Sequence, residues 1–276
     1  MEKNRIWCCS GRFLRSMCLL ILMNGSVFPG AFAETQTGSA LMKKAVPVWV
    51  EGRETEMNLN LGFRGVFQAK KNQVFTLKIT ASTLYRVFLN GEFLGYGPAR
   101  ACHDYYRVDE YDLSKKVLNG ENIVAVEVAG YNINTFYTLD QPSFLQAEVL
   151  SNGQPVLATG HHSDFEAFQL GGRLQKVERY SYQRPFTEYY RLTSGFDQWR
   201  SSAKVVFEPL KLASFSPVKL LGRNLPLPEF AIVRPVSVHS IGTFERKKPE
   251  KYKKDRSLTQ ISDKLKGYKE ENLEVE

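Results

Sequence analysis

Cysteine is scarce in this 276-residue chain. Three of the four cysteines, Cys8, Cys9 and Cys18, lie within the first 33 residues, which leaves Cys102 alone in the rest of the sequence. A single cysteine can form neither an internal disulfide nor a cysteine metal cluster. Once those first residues are set aside, we expect a fold that depends on its hydrophobic core rather than on covalent cross-links.

Long apolar runs are also missing. The run from Met17 to Met23 is far shorter than the roughly 20 residues that span a bilayer, so we expect no stable membrane span. It follows a basic start and precedes the small-residue ending Ala31–Ala33, which is the order of a secretory signal peptide. We therefore predict a signal peptide over residues 1–33 and export to the periplasm or the extracellular space, with an uncleaved anchor as the alternative.

The positive charge does not indicate a nucleic-acid partner. The whole chain carries +8, and the first 33 residues hold four of the positive charges and one negative charge, which leaves +5 for the remainder. Much of that remainder lies in Glu245–Arg256, where acidic residues are interleaved. This pattern favours a solvated segment over a nucleic-acid patch. We interpret residues 246–276 as a charged linker or truncated tail, with the pattern of an amphipathic helix near Ser257–Tyr268.

Helical periodicity is nearly absent, whereas strand signals dominate from residue 44 to about 245. Asn90-Gly91 lies between two apolar runs, which predicts a hairpin with a type I′ turn, because both central residues then need a positive φ. The same dipeptide recurs at Asn119-Gly120 and Asn152-Gly153. We predict an all-β fold, an antiparallel β-sandwich of the jelly-roll, galactose-binding-domain-like kind, over residues 34–215.

Further strands are predicted toward the C-terminal part. Lys204–Leu210 and Phe230–Glu245 have apolar strand character, and nearby prolines place them at edges or connections. We interpret residues 216–245 as strands that lead toward a following β domain. One short helical turn is predicted at Asp197–Lys204, with Asp197 as its N-cap and Trp199 buried in the core.

Three segments of the sequence resemble the N-terminal β-sandwich of bacterial α-L-rhamnosidases, which are multidomain glycoside hydrolases: FTLKITASTLYRVFLNGEFLGYGPAR, YDLSKKVLNGENIVAVEVAGYN and QPSFLQAEVL. Two more segments, SYQRPFTEYY and LLGRNLPLPEF, resemble segments that precede the catalytic part in that family. The sequence pattern of the hairpin is shared with other glycosidases that have jelly-roll domains. The last two segments narrow the resemblance to rhamnosidases. It extends from about Val48 to Phe244.

The resemblance indicates which reaction the family catalyses, and it implies that the catalytic barrel of that family is not part of this sequence. Rhamnosidases hydrolyse terminal α-L-rhamnose with inversion, using an acid and a base carboxylate on an (α/α)₆ barrel that follows the β domains. The sequence has no run of paired helices, so no catalytic residue is transferred to it. We expect a non-catalytic portion of an exported rhamnosidase-like enzyme that braces the missing catalytic barrel, with no cofactor. An independent carbohydrate-binding module or adhesin is the alternative.

Two other clusters could carry chemistry. Asp104, Asp109, Glu110 and Asp112 supply several acids, but Asp112 has the context of an Asx-turn and the Asp109-Glu110 pair has the context of charges at a strand edge. His161-His162 with Asp164 could ligate a metal, yet adjacent strand residues point to opposite faces and further ligands are missing. We interpret the acids as structural and the histidines as a polar surface turn, and predict no metal site.

The segment Gly95–Tyr106 is the main candidate site. Its tyrosines can stack on pyranose rings, and its polar side chains can bond hydroxyl groups. The alternative is that they anchor an interface with the catalytic domain. The candidates are Tyr96, Arg100, His103, Asp104, Tyr105 and Tyr106.

The segment Tyr131–Phe144 follows a predicted buried strand, and we expect it beside this loop. It has the same ambiguity between contact with rhamnose-containing glycans and contact with another domain. Its candidates are Asn132, Asn134, Phe136 and Tyr137.

Overall fold

The computed structural model describes residues 41–70, 72–160, 164–179, 181–231, 233–243 and 265–274. The predicted signal peptide, the His161-His162 pair and most of the predicted charged tail lie outside these residues. Within the described ranges, no helix has the length and apolar character that crossing a bilayer requires.

The described residues form twelve strands and two short 3₁₀ turns. The strands are β1 (Val48–Val50), β2 (Leu59–Ala69), β3 (Phe75–Ala81), β4 (Leu84–Leu89), β5 (Glu92–Gly97), β6 (Tyr105–Asp112), β7 (Gly120–Gly130), β8 (Leu145–Ser151), β9 (Gln154–Ala158), β10 (Phe165–Gln169), β11 (Leu212–Ser214) and β12 (Lys219–Gly222). The 3₁₀ turns are Gln198–Arg200 and Glu270–Asn272.

The strands make two sheets. The first has the order β11-β1-β8-β3-β6-β12, with β9 also paired to β8, and the second has the order β10-β2-β7-β4-β5. Every strand pair is antiparallel except β6 with β12, which is parallel. The prediction of an all-β antiparallel sandwich is therefore confirmed.

The core lies between the two sheets and is built from alternating apolar side chains. Phe75, Leu77 and Ile79 of β3 have no exposed surface. The rings of Trp49 and Phe63, from opposite sheets, lie 5.9 Å apart between centroids. Burying each such side chain contributes about 1.5–3 kcal/mol. The packed core therefore stabilises the described part of the chain, in which Cys102 is free.

Two of the three Asn-Gly turns have the predicted geometry. Asn90 and Gly91 have φ values of 51° and 85° and join β4 to β5, and Asn152 and Gly153 have 47° and 78° and join β8 to β9. Asn119-Gly120 does not form a hairpin, because β6 and β7 belong to different sheets. This dipeptide instead lies at the start of β7, where the chain crosses from the first sheet to the second.

Two predicted strands were wrong. Lys204–Leu210 is irregular: Val205 and Phe207 pack on the outer face of the second sheet, where the Phe207 ring stacks on Phe168 at 3.6 Å, whereas Val206 is exposed. The described part of Phe230–Glu245 contains no strand, and Val236 and Ile241 are exposed there. Trp199 is buried as predicted, on the turn Gln198–Arg200, but the Asp197 side chain does not cap that turn.

Strand β12 supplies the last element of the first sheet. Residues Lys219–Gly222 pair in register with Tyr105–Val108, so this part of residues 216–245 belongs to the sandwich itself. The pairing brings the segment that follows β12 under the loop between β5 and β6. A following β domain stays a prediction.

Candidate functional site

A groove of about 700 Å³ lies where the β5–β6 loop meets the loop that follows β7. Eight of the predicted site residues line it: Tyr96, Arg100, His103, Asp104, Tyr105, Tyr106, Phe136 and Tyr137. They come from two segments about thirty residues apart, which the order of β4, β5 and β7 in one sheet brings to the same end of the sandwich. The expected proximity of the two segments is thus confirmed.

Specific contacts hold the two loops together. The Arg100 guanidinium carbon lies 4.7 Å from the centre of the Tyr137 ring, a cation–π contact. The Tyr106 hydroxyl donates a hydrogen bond to Oε1 of Gln141 at 3.0 Å, and the Gln141 amide donates to the carbonyl of Ser82. These contacts connect β6 of the first sheet to the loop that follows β7.

The rim of the groove is polar. Nδ1 of His103 lies 3.0 Å from Oδ1 of Asp104, and both side chains are exposed. Asp104 has a φ of 66°, which places it in the left-handed region where Asp is one of the tolerated residues. Nζ of Lys219 lies 5.3 Å from the centre of the Tyr105 ring. These groups offer donors and acceptors beside the aromatic faces.

The walls of the groove expose an unusual amount of aromatic surface. Tyr96 is 50% exposed, Phe136 69% and Tyr137 60%. Single exposed apolar side chains are common, but a cluster around one concavity is typical of a contact site. Flat rings with a polar atom suit either a sugar face or a protein interface.

The environment of Tyr106 keeps its hydroxyl protonated. Burial raises the pKa of Tyr106, and the negative charge of Asp104 raises it further. The hydroxyl therefore stays a hydrogen-bond donor to Gln141 throughout the neutral range.

Two predicted site residues do not line the groove. Asn132 is fully buried, and its amide donates to the carbonyl of Glu56 at 2.9 Å and to Oγ of Ser143 at 2.8 Å. Asn134 accepts a hydrogen bond from the backbone of Asp140 through Oδ1 at 2.9 Å. These asparagines shape the second loop from within, because an Asn amide can satisfy backbone groups that a turn leaves open.

A buried ionic network lies beneath the groove, and here the interpretation of Asp109 as a strand-edge charge was wrong. Asp109 has no exposed surface: Oδ2 accepts from the Tyr85 hydroxyl, and Oδ1 accepts from Nη1 of Arg223 at 2.8 Å. Burial raises the pKa of Tyr85 well above its ordinary value, and raises that of Tyr111 to about 12. Both phenols thus remain neutral donors.

Close packing at Gly97 completes this floor. A Cβ at Gly97 would lie 2.0 Å from Oδ2 of Asp109 and 2.7 Å from the Tyr85 hydroxyl. Only glycine leaves room for the carboxylate and phenol to meet under the end of β5. The network of Asp109 and Tyr85 therefore requires glycine at position 97.

The remaining acids have structural partners. Oδ1 of Asp112 accepts from the backbone of Ser114 at 2.9 Å, as an Asx-turn predicts, and Glu110 pairs with Lys78 at 3.5 Å. Asp104 is the one carboxylate among the described residues that line the groove. Hydrolysis by a carboxylate pair would need a second acid facing it. The described ranges also hold no group of three or more residues suited to bind a metal.

Sequence reasoning missed a second cluster, on the outer face of the second sheet. Glu127 is buried there between Arg86 and Arg200. The signal was present: Glu127 is an acid inside the strand sequence IVAVEVAG, where every neighbour is apolar. A charge in such a run is retained only where it is paired.

Similarity to solved structures agrees with this architecture. The chain superposes on the crystal structure of a GH78 family rhamnosidase of Bacillus sp. GL1 with a TM-score of 0.59 and 28% sequence identity, over 67% of this chain and 20% of that one. The chain resembles part of a GH78 rhamnosidase. The resemblance predicted from the sequence is thereby confirmed, and it is consistent with the N-terminal region of such an enzyme.

Other similar structures are more distant. They include the α-L-rhamnosidase from Aspergillus terreus, at 20% identity and a TM-score of 0.46 over 63% of this chain and 21% of that one. The α-L-rhamnosidase from Dictyoglumus thermophilum has 18% identity and a TM-score of 0.46, over 70% and 22%. The chain thus spans about a fifth of the length of the rhamnosidases it resembles. No protein-family model and no curated protein sequence matches it.

Proposed function

We propose that this chain is a non-catalytic β-sandwich portion of an exported α-L-rhamnosidase-like glycoside hydrolase, and that its groove contacts the catalytic domain. The proposal is supported by the 28% identity to the Bacillus rhamnosidase and by the short span of that enzyme that the chain covers. In this function the sandwich braces a catalytic barrel, and the reacting carboxylates lie outside the chain.

The observation that carries the proposal is the braced aromatic groove. Its two loops are fixed to each other by Arg100 and Tyr137 and by Tyr106 and Gln141, so the exposed rings are presented on a rigid frame. Aromatic and arginine side chains are enriched at interface centres because they bury much surface at little cost in side-chain entropy. Among the described residues that line the groove, Asp104 is the one carboxylate, which suits contact better than hydrolysis.

The experiment measures turnover and sugar binding together. The purified chain is expected to leave an aryl α-L-rhamnoside intact and to give a flat calorimetric titration with L-rhamnose. Hydrolysis by the chain alone would overturn the non-catalytic assignment. A DNA sequence that continues in frame into paired helices would support the bracing role directly.

The second candidate function is an independent carbohydrate-binding module. It is favoured by the exposed Tyr96 and Tyr137 rings beside the polar rim, which is the arrangement that sugar recognition uses. It predicts measurable binding to a rhamnose-containing glycan that is lost in Tyr105→Ala and Arg100→Ala. Flat titrations across plant and bacterial polysaccharides would remove this candidate.

Export is part of the proposal and rests on the order of charges and small residues at the start of the sequence. The protein recovered from the periplasm or the medium is expected to begin at Glu34. Recovery of the uncleaved chain in the membrane fraction would contradict it and favour the anchor.

A further inference from the structure

Two small adjoining hollows lie on the outer face of the second sheet, away from the floor of the groove. Their volumes are about 150 and 160 Å³, and they share four lining residues, Arg86, Glu127, Leu170 and Arg173. Because of these shared walls, they form one shallow trough across β4, β7 and the segment after β10. We call it the arginine trough.

The arginine trough adjoins the groove described above. Tyr96 and Leu84 line both the first hollow and the groove. Tyr96 is half exposed, so its ring forms the wall that the two concavities share. A chain of sugars that lay in the groove could therefore continue into the trough by passing over one aromatic ring.

The charges of the trough are unequal. Its described lining residues include three arginines, Arg86, Arg173 and Arg200, and two glutamates, Glu127 and Glu188, an excess of one positive charge. Glu127 contacts two of the arginines: Oε1 accepts from Nε of Arg200 at 3.0 Å and also from its Nη2, and Oε2 lies 2.7 Å from Nη2 of Arg86. The single negative charge of this buried acid is thus shared between Arg86 and Arg200.

Arg173 is the arginine left with the weakest partners. Its side chain is only 8% exposed, yet Nη2 lies 3.4 Å from Oε1 of Glu188 and 3.5 Å from the Tyr131 hydroxyl, both at the long end of the hydrogen-bond range. Glu188 is itself 51% exposed and accepts from Tyr190 through its other oxygen. A guanidinium has five N–H donors, and a buried one is stabilised by a well-placed anion.

We propose that the arginine trough binds the carboxylate of an acidic sugar residue, with Arg173 and Arg86 as the groups that recognise the charge. The planar guanidinium fork matches two carboxylate oxygens at once, and charge-assisted bonds of this kind are about twice as strong as neutral ones. The choice of a sugar as the carrier of the carboxylate rests on the second candidate function, a carbohydrate-binding module. The recognition of a carboxylate rests on the trough alone.

Aromatic rings near the two arginines suit a pyranose. The Tyr190 hydroxyl accepts from Nη2 of Arg86 at 3.2 Å, and the Tyr190 ring lies 5.7 Å from the Arg173 guanidinium carbon. Tyr96 also lines the trough. A hexuronate in the trough would thus meet cations at its carboxylate and ring faces at its C–H groups.

The experiment titrates the full chain with D-galacturonate, its methyl ester and D-galactose. Galacturonate is expected to bind at least about tenfold more tightly than the two neutral probes, because only it offers the charge-assisted bonds. Arg173→Gln and Arg86→Gln are each expected to weaken galacturonate binding by about 10- to 100-fold. Arg234→Gln, which removes an exposed arginine outside the trough, is the matched control and leaves binding unchanged.

The outcomes separate this inference from the proposed function. Retention of galacturonate binding in Arg173→Gln and Arg86→Gln, or equal binding of the methyl ester, overturns it. If acetate binds as tightly as galacturonate, the sugar ring is not recognised and the assignment of a sugar ligand is wrong. If a peptide rich in aspartate binds more tightly than galacturonate, the trough is assigned to a protein partner instead. Galacturonate binding that survives Tyr105→Ala supports the trough even where no neutral sugar binds the groove. If Arg173→Gln fails to fold, galacturonate binding by Arg86→Gln tests the proposal, because the Arg86 side chain is half exposed.

Discussion

Nη1 of Arg223 lies 2.8 Å from Oδ1 of Asp109, a carboxylate with no exposed surface. Arg223 follows β12 directly, and its backbone N–H donates to the carbonyl of Val108 at 3.1 Å. The ion pair therefore joins the parallel edge strand to the floor of the groove. Removing one partner of such a pair leaves an uncompensated buried charge, which is far more costly than losing an exposed pair.

Arg223→Leu is accordingly expected to destabilise the chain by about 3–5 kcal/mol in urea unfolding. Asp109→Asn together with Arg223→Leu is expected to recover part of that loss, because no buried charge is then left alone. Arg234→Leu, at an exposed position, serves as the control and should change stability by less than about 0.5 kcal/mol. A loss below about 1 kcal/mol in Arg223→Leu would contradict the network.

Gly97 gives a second test of the same floor. Gly97→Ala is expected to destabilise the chain by about 1–3 kcal/mol, since the new methyl group would press on Asp109 and the Tyr85 hydroxyl. Gly171→Ala is the matched control, because a Cβ there meets no atom within 4 Å. Equal unfolding midpoints for the two variants would show that the carboxylate can move aside.

The buried tyrosines predict a loss of stability in alkali. The pKa of Tyr111 is raised to about 12 in the folded chain, against about 10 in the unfolded one. The folded state therefore holds this proton more tightly, so its contribution is complete below about pH 10 and is lost as the pH rises toward 12. Tyr85, shifted in the same direction, adds to the loss.

Urea unfolding at pH 8, 10 and 11.5 checks this dependence. Tyr111→Phe is expected to show a shallower decline in the free energy of unfolding between pH 10 and 11.5 than the unchanged chain. Tyr182→Phe, at an exposed position, should leave the slope as it was. If the free energy of unfolding declined equally with pH in all three proteins, the raised pKa of Tyr111 would be refuted.

Local signals of the sequence were sufficient for some features and not for others. The turns at Asn90-Gly91 and Asn152-Gly153 were predictable because the dipeptide itself selects positive φ. The same signal failed at Asn119-Gly120, since the sheet that a strand joins depends on packing far along the chain. The burial of Asp109 was hidden for that reason too, because its partner Arg223 is 114 residues away.

The candidate site shows the same division. The aromatic and polar character of Gly95–Tyr106 was readable from composition, and the groove contains all six residues that were proposed from it. The asparagines of the second loop were assigned to the site from their polarity alone. Their backbone contacts, which bury Asn132, depend on Glu56 and Ser143 from other segments and could not be inferred locally.

The contact between Tyr106 and Gln141 determines how rigid the groove is, and this can be tested without any ligand. Tyr106→Phe removes the hydroxyl that bonds Oε1 of Gln141, a loss of about 0.5–1.5 kcal/mol that falls on the second loop rather than on the core. Amide hydrogens of residues 135–141 are therefore expected to exchange about two- to tenfold faster, while those of β7 stay protected. Tyr105→Phe, at the exposed rim, is the matched control and should leave exchange in this loop unchanged. Equal exchange in Tyr106→Phe and the unchanged chain would mean that the other contacts of the loop, among them Gln141 with Ser82 and Arg100 with Tyr137, hold it without the Tyr106 hydroxyl.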